Sequence, residues 1–314
     1  MNRYGKLEEI VGKDKIKYNE KMSKYTTMKV GGPCDCIVFP DAISKIKDVI
    51  DFCKNENIAF YVIGNGSNLL VKDEGIHGVV IKLGHRFSKI EQNGEYILAY
   101  SGATMPAISQ LAKKNSLKGL EFACGIPGTI GGGVKMNAGA YGSQISDILY
   151  EVTYMDEKEE IKTIKNKDCS FGYRKSIFTI NPNYVILSAK FKLKKGNIDE
   201  IENKMKENSL ARRAKQPLEY PNFGSVFKRP EGYFVGKLVD DAGLKGYQIG
   251  GAQVSTKHTG FIVNVDNATC KDVLDLIEYV QTTVYNKFNV KLTPEVIICL
   301  LYTSDAADDR ISVD

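Results

Sequence analysis

The chain has 314 residues, 43% hydrophobic and 26% charged, which excludes a disordered tail protein, a collagen-like repeat and a coiled-coil rod. Its length suggests about two domains, or three small ones. The net charge of +5 is dispersed, with no basic stripe for nucleic acid, and a mild positive excess suits an anionic small substrate. No window reaches the ~20 apolar residues of a membrane span. The N-terminus has no apolar core of a secretory signal.

In chain order, residues 41–57 read as a helix. Asp41 can cap its start, and Ile43, Ile46, Val49, Ile50 and Cys53 share one face. Residues 58–63 form a short β-rich run that leads into Gly64-Asn-Gly-Ser-Asn68. Val79–Ile81 and Tyr96–Tyr100 read as strands. Residues 104–116 read as a helix with Pro106 in its first turn. Residues 150–155 and 161–164 flank an Asp-Glu-Lys-Glu-Glu turn and predict a hairpin. A strand over 184–193 precedes a polar helix over about 198–214. Beyond the segment Val235–Ala242 come strands near 247–254 and 260–265. A helix then starts at Thr269, with Asp272 at capping-box spacing and Val273, Leu276, Ile277, Val280 and Val284 as its apolar stripe.

The seven cysteines are odd in number and irregularly spaced, and read as reduced thiols. Cys34-Asp-Cys36 has no second pair to complete four ligands, so no metal is expected. From Cys299 the sequence CLLYTSDAADDRISVD loses apolar periodicity and resembles the translated read-through of a sequencing-library adapter. Residues 299–314 are therefore expected to be a non-native tail, set aside from the fold.

Two glycine loops carry the functional signal. Residues 125–142 hold seven glycines in eighteen positions, and Gly64–Asn68 follows a strand. Glycine allows positive φ and lets a ligand approach the backbone. Successive N–H groups in such turns suit a pyrophosphate. Neither loop is a G-x-G-x-x-G fingerprint or a Walker loop. Either alone reads as a structural turn; together they favour a nucleotide or dinucleotide.

The motifs Thr26-Thr-Met-Lys-Val-Gly-Gly32, Gly64-Asn-Gly-Ser-Asn-Leu-Leu70 and Gly119–Gly128 resemble the FAD-binding elements of the UDP-N-acetylenolpyruvoylglucosamine reductase family. Gly172-Tyr-Arg-Lys-Ser176, Gly224-Ser-Val-Phe-Lys-Arg-Pro230 and Leu292-Thr-Pro-Glu-Val296 resemble its later motifs, so the likeness runs over about residues 20–298 in the family's order. The glycine loops are shared with other flavoproteins; the three later motifs make the match specific. No insertion follows residue 173, which resembles the shorter subtype that lacks a long Tyr-bearing loop.

The resemblance implies an α+β architecture, with an FAD-binding fold of the vanillyl-alcohol-oxidase/PCMH type. Residues 1–85 and 86–205 would be two small α/β FAD-binding subdomains, and 206–298 an α+β substrate-binding domain. It implies non-covalent FAD and NADPH as reductant. Hydride would pass from flavin N5 to the enolpyruvyl group of UDP-N-acetylglucosamine enolpyruvate, giving UDP-N-acetylmuramate for peptidoglycan. A cytoplasmic monomer is expected, with no nucleic-acid or membrane partner. Thr27, Lys29, Gly64, Asn65, Gly66, Ser67, Asn68, Gly125, Ile126, Pro127, Gly128, Ala138, Gly139 and Tyr141 would contact FAD. Arg174, Ser225 and Glu295 would be catalytic, with Ser225 as proton donor. Lys215, Arg229 and His258 would meet substrate, although the family has Asn where Arg229 stands. Arg212 and Arg213 fit a solvated helix face as well as they fit a role. The competing readings are another flavin oxidoreductase of the same superfamily and a non-catalytic nucleotide-sugar sensor.

Overall fold

The computed structural model describes residues 3–299. Three sheets organise it. The first has strand order Ile16–Lys21, Pro33–Val38, Ile76–Lys82, Phe60–Ile63. The last three strands run parallel, because helix Ile43–Asn55 carries the chain from Pro33–Val38 across to Phe60–Ile63. That helix buries Ile46, Val49, Ile50 and Cys53, one stripe at 3.6 spacing, against the sheet. Asp41 is not its cap: the N-cap is Ala42, which offers no side-chain bond. Asp41 instead pairs with Lys15 at 2.5 Å and Lys45 at 3.0 Å. A lysine from the preceding strand region takes the carboxylate that a local reading gives to the helix.

The second sheet is antiparallel, in the order Ile161–Lys165, Leu149–Met155, Val185–Lys192, Tyr96–Tyr100, Ile90–Asn93. The expected hairpin is its first pair. Met155, Val185 and Leu187 of this sheet join the core of the first, so the two pack as one body. Helix Met105–Lys114 is capped by Thr104, and helix Ile198–Lys215 by Asn197. The second helix runs across the 205/206 boundary drawn from the sequence.

The third sheet is antiparallel, in the order Asn222–Ser225, Phe261–Asn264, Ala252–Val254, Gln248–Ile249. Helix Cys270–Phe288 packs on it through Val273, Leu276, Ile277, Val280 and Val284. Thr269 and Asp272 cap that helix reciprocally, and Asn289 ends it at φ +53°.

Several ties lock this unit to the first sheet. Ile297–Cys299 pairs in parallel with Leu69–Val71. Asp73 accepts from the N–H groups of Cys270 at 2.8 Å and Lys271 at 3.0 Å. Asn264 donates to the carbonyl of Met28 at 3.1 Å. Cys299, set with the tail by its sequence, pairs with Val71 and is 8% exposed. The rest of that tail, residues 300–314, lies outside the described residues. No helix among the described residues is long and apolar enough to cross a membrane.

Candidate active site

The first glycine loop leaves the carboxyl end of the parallel strand Phe60–Ile63, where open parallel sheets present ligand sites. Gly66 has φ +62°, and a Cβ there would meet the carbonyl oxygen of Tyr25 at 2.3 Å. Only glycine fits that turn. The loop packs directly on the second one. Asn65 Nδ2 donates to the carbonyl of Pro127 at 3.1 Å, and a Cβ at Gly64 would meet Thr129 Oγ1 at 2.2 Å. By contrast, a Cβ at Gly128 would meet Ser67 Oγ at 3.5 Å and Ile126 Cγ2 at 4.0 Å, both ordinary contacts, so protein packing leaves room there.

A cleft of about 500 Å³ opens beside this junction, lined by Tyr25, Asn65, Lys82, Gly84, Gly102 and Thr104. Lys82 closes the apolar strand Ile76–Lys82 and donates to the carbonyl of Gly64. Burial pushes its amine down to about 8. Ser101, 2% exposed and in contact range of a Cβ at Gly131, has a buried hydroxyl with no partner. Facing glycine loops, a buried amine and an orphaned hydroxyl fit a bound dinucleotide. The sequence reading missed Lys82; a lysine ending a run of buried β-branched residues was its signal.

The other expected cofactor contacts divide. Ile126 and Ala138 pack against the second core. Gly139 pairs with Gln144 in a two-stranded ribbon. Tyr141 sits at φ +55° and donates to the carbonyl of Asn208 at 2.8 Å. Lys29 is exposed at φ +57°. Thr27 Oγ1 donates to the carbonyl of Asn222 at 2.7 Å, and Asn68 Nδ2 to that of Glu295 at 3.0 Å. Those two side chains therefore reach the third sheet and the segment after its helix. Arg212 is not part of a solvated face. It is half-buried, its Cδ would lie 2.9 Å from a Cβ at Gly125, and burial lowers its pKa. Arg213 and Lys215 are exposed.

Two of the three residues singled out for catalysis are in direct contact, and the backbone of Glu295 is tied next to the third. Arg174 Nε donates to Glu295 Oε1 at 2.6 Å, with side chains 24% and 12% exposed. Burial raises the pKa of Glu295, against the opposing pull of Arg174. Arg174 sits at φ +54° in a turn closed by reciprocal bonds between Gly172 and Lys175. Asn137, 2% exposed within the second glycine loop, carries that turn by donating to the carbonyl of Gly172 at 3.1 Å. Sequence reasoning passed over Asn137, since an Asn among glycines reads as turn chemistry. Ser225 ends its strand and donates to the carbonyl of Phe227 at 3.2 Å. The N–H of Glu295 donates to the carbonyl of Val226 at 2.8 Å, which fixes the carboxylate's backbone one residue from Ser225.

A second cleft, about 640 Å³, joins Ser225 to Tyr173, Arg229, Phe234, Lys257 and His258. The Arg229 guanidinium lies 4.0 Å from the centre of the Phe234 ring and donates through Nε to the carbonyl of Tyr233 at 3.1 Å. His258 Nδ1 accepts from the N–H of Gly260 at 3.1 Å. Burial lowers the His258 pKa, against the opposing pull of a backbone hydrogen bond and with a smaller contribution from the charge of Lys215; when the ring is neutral, acceptance at Nδ1 leaves Nε2 as its donor. Among the described residues no group of three or more His, Cys, Asp or Glu stands ready to hold a metal.

Residues 33–165 match an FAD binding domain model, and residues 216–299 match the C-terminal domain of UDP-N-acetylenolpyruvoylglucosamine reductase. A reductase of that name from Clostridium novyi is 48% identical over 93% of this chain and 95% of its own length. The chain belongs to the UDP-N-acetylenolpyruvoylglucosamine reductase family. A second family member, from Clostridium beijerinckii, is also 48% identical, over 95% of this chain and 99% of its own length. A solved reductase of the family from Thermus caldophilus shares 34% identity at a TM-score of 0.79, covering 90% of this chain and 98% of its own. A glucose dehydrogenase, Phl p 4.0202, shares 13% identity at a TM-score of 0.50, a likeness of fold alone across 63% of this chain. The expected α+β architecture with an FAD-binding fold and the family's C-terminal domain thus stands.

Proposed function

We propose that this chain reduces UDP-N-acetylglucosamine enolpyruvate to UDP-N-acetylmuramate, with NADPH as reductant, in the making of peptidoglycan precursor. The observation that carries the reading is the Arg174–Glu295 pair, fixed one residue from Ser225 and reached from both glycine loops. A bound FAD, once reduced by NADPH, would supply the hydride that the enolpyruvyl double bond accepts. Hydride arriving at the carbon remote from the carboxylate leaves enolate charge on the substrate. Arg174 offers a permanent cation to that charge in a largely buried site. Glu295 aims the guanidinium through Nε, which leaves the two terminal nitrogens free to face the substrate carboxylate. Ser225 gives its proton to the enolate carbon; a hydroxyl is a weak acid, and the strongly basic acceptor is what makes the step feasible.

Lys215, Arg229 and His258 are assigned to the substrate's nucleotide end. Gly64–Ser67, Gly125–Gly128, Lys82 and Arg212 are assigned to the cofactor. Residues up to about 215 form the flavin-binding part in this reading, and the rest covers its reactive face. A cytoplasmic monomer suits a substrate of this kind. The test is one titration of purified protein. NADPH should bleach the flavin's visible band and the enolpyruvyl UDP-sugar should restore it. Bleaching without restoration by that sugar would move the chain to another flavin oxidoreductase, and protein that takes up no flavin would leave only a binding role.

A further inference from the structure

Asn68 sits at the end of the first glycine loop, yet it is not among the residues that line the 500 Å³ cleft. Its side-chain amide donates to the carbonyl of Glu295 at 3.0 Å, and its own carbonyl accepts from the N–H of Ile297 at 3.0 Å. One residue thus holds the 295–297 backbone at two points. On the other side, the N–H of Glu295 donates to the carbonyl of Val226. Both main-chain polar groups of Glu295 are therefore fixed, one by the cofactor loop and one by the Ser225 strand. Its carboxylate reaches Arg174 only from that fixed backbone.

We propose that Asn68 is a positioning residue for Glu295: it ties the carboxylate that aims Arg174 to the first glycine loop, and so couples that loop to the substrate half of the reaction. The proposal rests on the reading of Glu295 given above. Its physical basis is that a partly buried carbonyl robbed of its donor is destabilised and no longer held in place. A displacement of about 1 Å in a positioned group lowers rate roughly 10²-fold.

The test uses flavin-loaded protein and separates the half-reactions by stopped-flow absorbance. Asn68→Ala should keep its flavin affinity and its rate of bleaching by NADPH within about twofold. Its reoxidation by the enolpyruvyl UDP-sugar should slow roughly 10–100-fold. Asn68→Asp supplies a second readout. Ionised, it sets carboxylate oxygen against the Glu295 carbonyl; protonated, it donates as Asn does. Its reoxidation rate relative to Asn68→Ala should therefore rise as the pH is lowered from about 7 to about 4, through the ordinary aspartate range. Normal reoxidation in Asn68→Ala overturns the proposal. So does weakened flavin binding with both half-reactions slowed alike, which would make Asn68 a cofactor ligand. A ratio that stays flat with pH overturns it too. Glu295→Gln distinguishes the parent reading: if that variant reoxidises normally, the role of Glu295 fails first and this proposal with it.

Discussion

Replacing Arg174 by Met removes the cation beside Glu295 while keeping most of the side chain's bulk. The two side chains are 24% and 12% exposed, so the carboxylate left behind is mostly out of water. Breaking a buried pair from one side costs about 3–5 kcal/mol, and partial exposure puts this pair near 3 kcal/mol. With an unfolding entropy of roughly 2.1 cal/mol/K per residue, that is about 4–5 °C in Tm at this chain size. The pH dependence follows from the direction of the Glu295 shift. Burial already raises its folded pKa above the ordinary glutamate value, and losing Arg174 removes the group that holds it down. A carboxylic acid with a raised folded pKa binds its proton more tightly when folded, so stability falls as pH rises. The penalty is absent below the unfolded glutamate value, grows through the interval up to the raised value, and is complete above it. Thermal melts of Arg174→Met from pH 5 to 8 should show a gap to the parent that widens with pH. Adding Glu295→Gln should close most of the gap and flatten its pH dependence. A gap of constant size, or one the second substitution leaves intact, would refute the coupling.

Ser225→Ala should bleach with NADPH at a near-normal rate while reoxidation by the UDP-sugar slows by ~10²–10⁴-fold, and Ser225→Cys should retain more activity than alanine; slowing confined to flavin reduction would remove Ser225 as the proton donor. Gly128→Ala makes only ordinary contacts, with Ser67 Oγ at 3.5 Å and Ile126 Cγ2 at 4.0 Å, so cofactor-free protein should melt as before while flavin affinity drops at least several-fold, read by fluorescence on reconstitution. Gly66→Val should differ, lowering the melting temperature of the cofactor-free protein itself, because Cβ meets the Tyr25 carbonyl at 2.3 Å. Asp73→Ala leaves two helix-end N–H groups uncapped and should cost about 1 kcal/mol, or roughly 1–2 °C in a thermal melt.

What the sequence discloses here is local. The Thr269–Asp272 box, the Leu149–Lys165 hairpin and the stripe of helix Ile43–Asn55 are all written within a turn or two of chain, where period and capping chemistry decide the outcome. The glycine loops are legible too, since their composition has few other uses. What stays hidden is the choice among partners. Asp41 has the right type and place for a cap and is drawn off by Lys15. Thr27 and Asn68 belong to flavin-loop motifs, yet their side chains go to Asn222 and Glu295, far along the chain. Arg212 reads as a helix surface until the second glycine loop folds over it. A residue type narrows the list of partners, and only the tertiary path selects one.

The parallel pairing of Leu69–Val71 with Ile297–Cys299 has a consequence for biosynthesis. Asn68 and Glu295 are separated by 227 positions, and a ribosome adds roughly 5–20 residues per second. The flavin loop therefore waits on the order of ten to forty seconds for its last neighbour. Through that interval the nascent chain exposes an open strand edge at Leu69–Val71, with Leu70 and Val71 destined to be fully buried. A chain released early would keep both glycine loops but lack Glu295 and the strand that covers the edge. Such truncated products would leave the apolar edge at Leu69–Val71 uncovered.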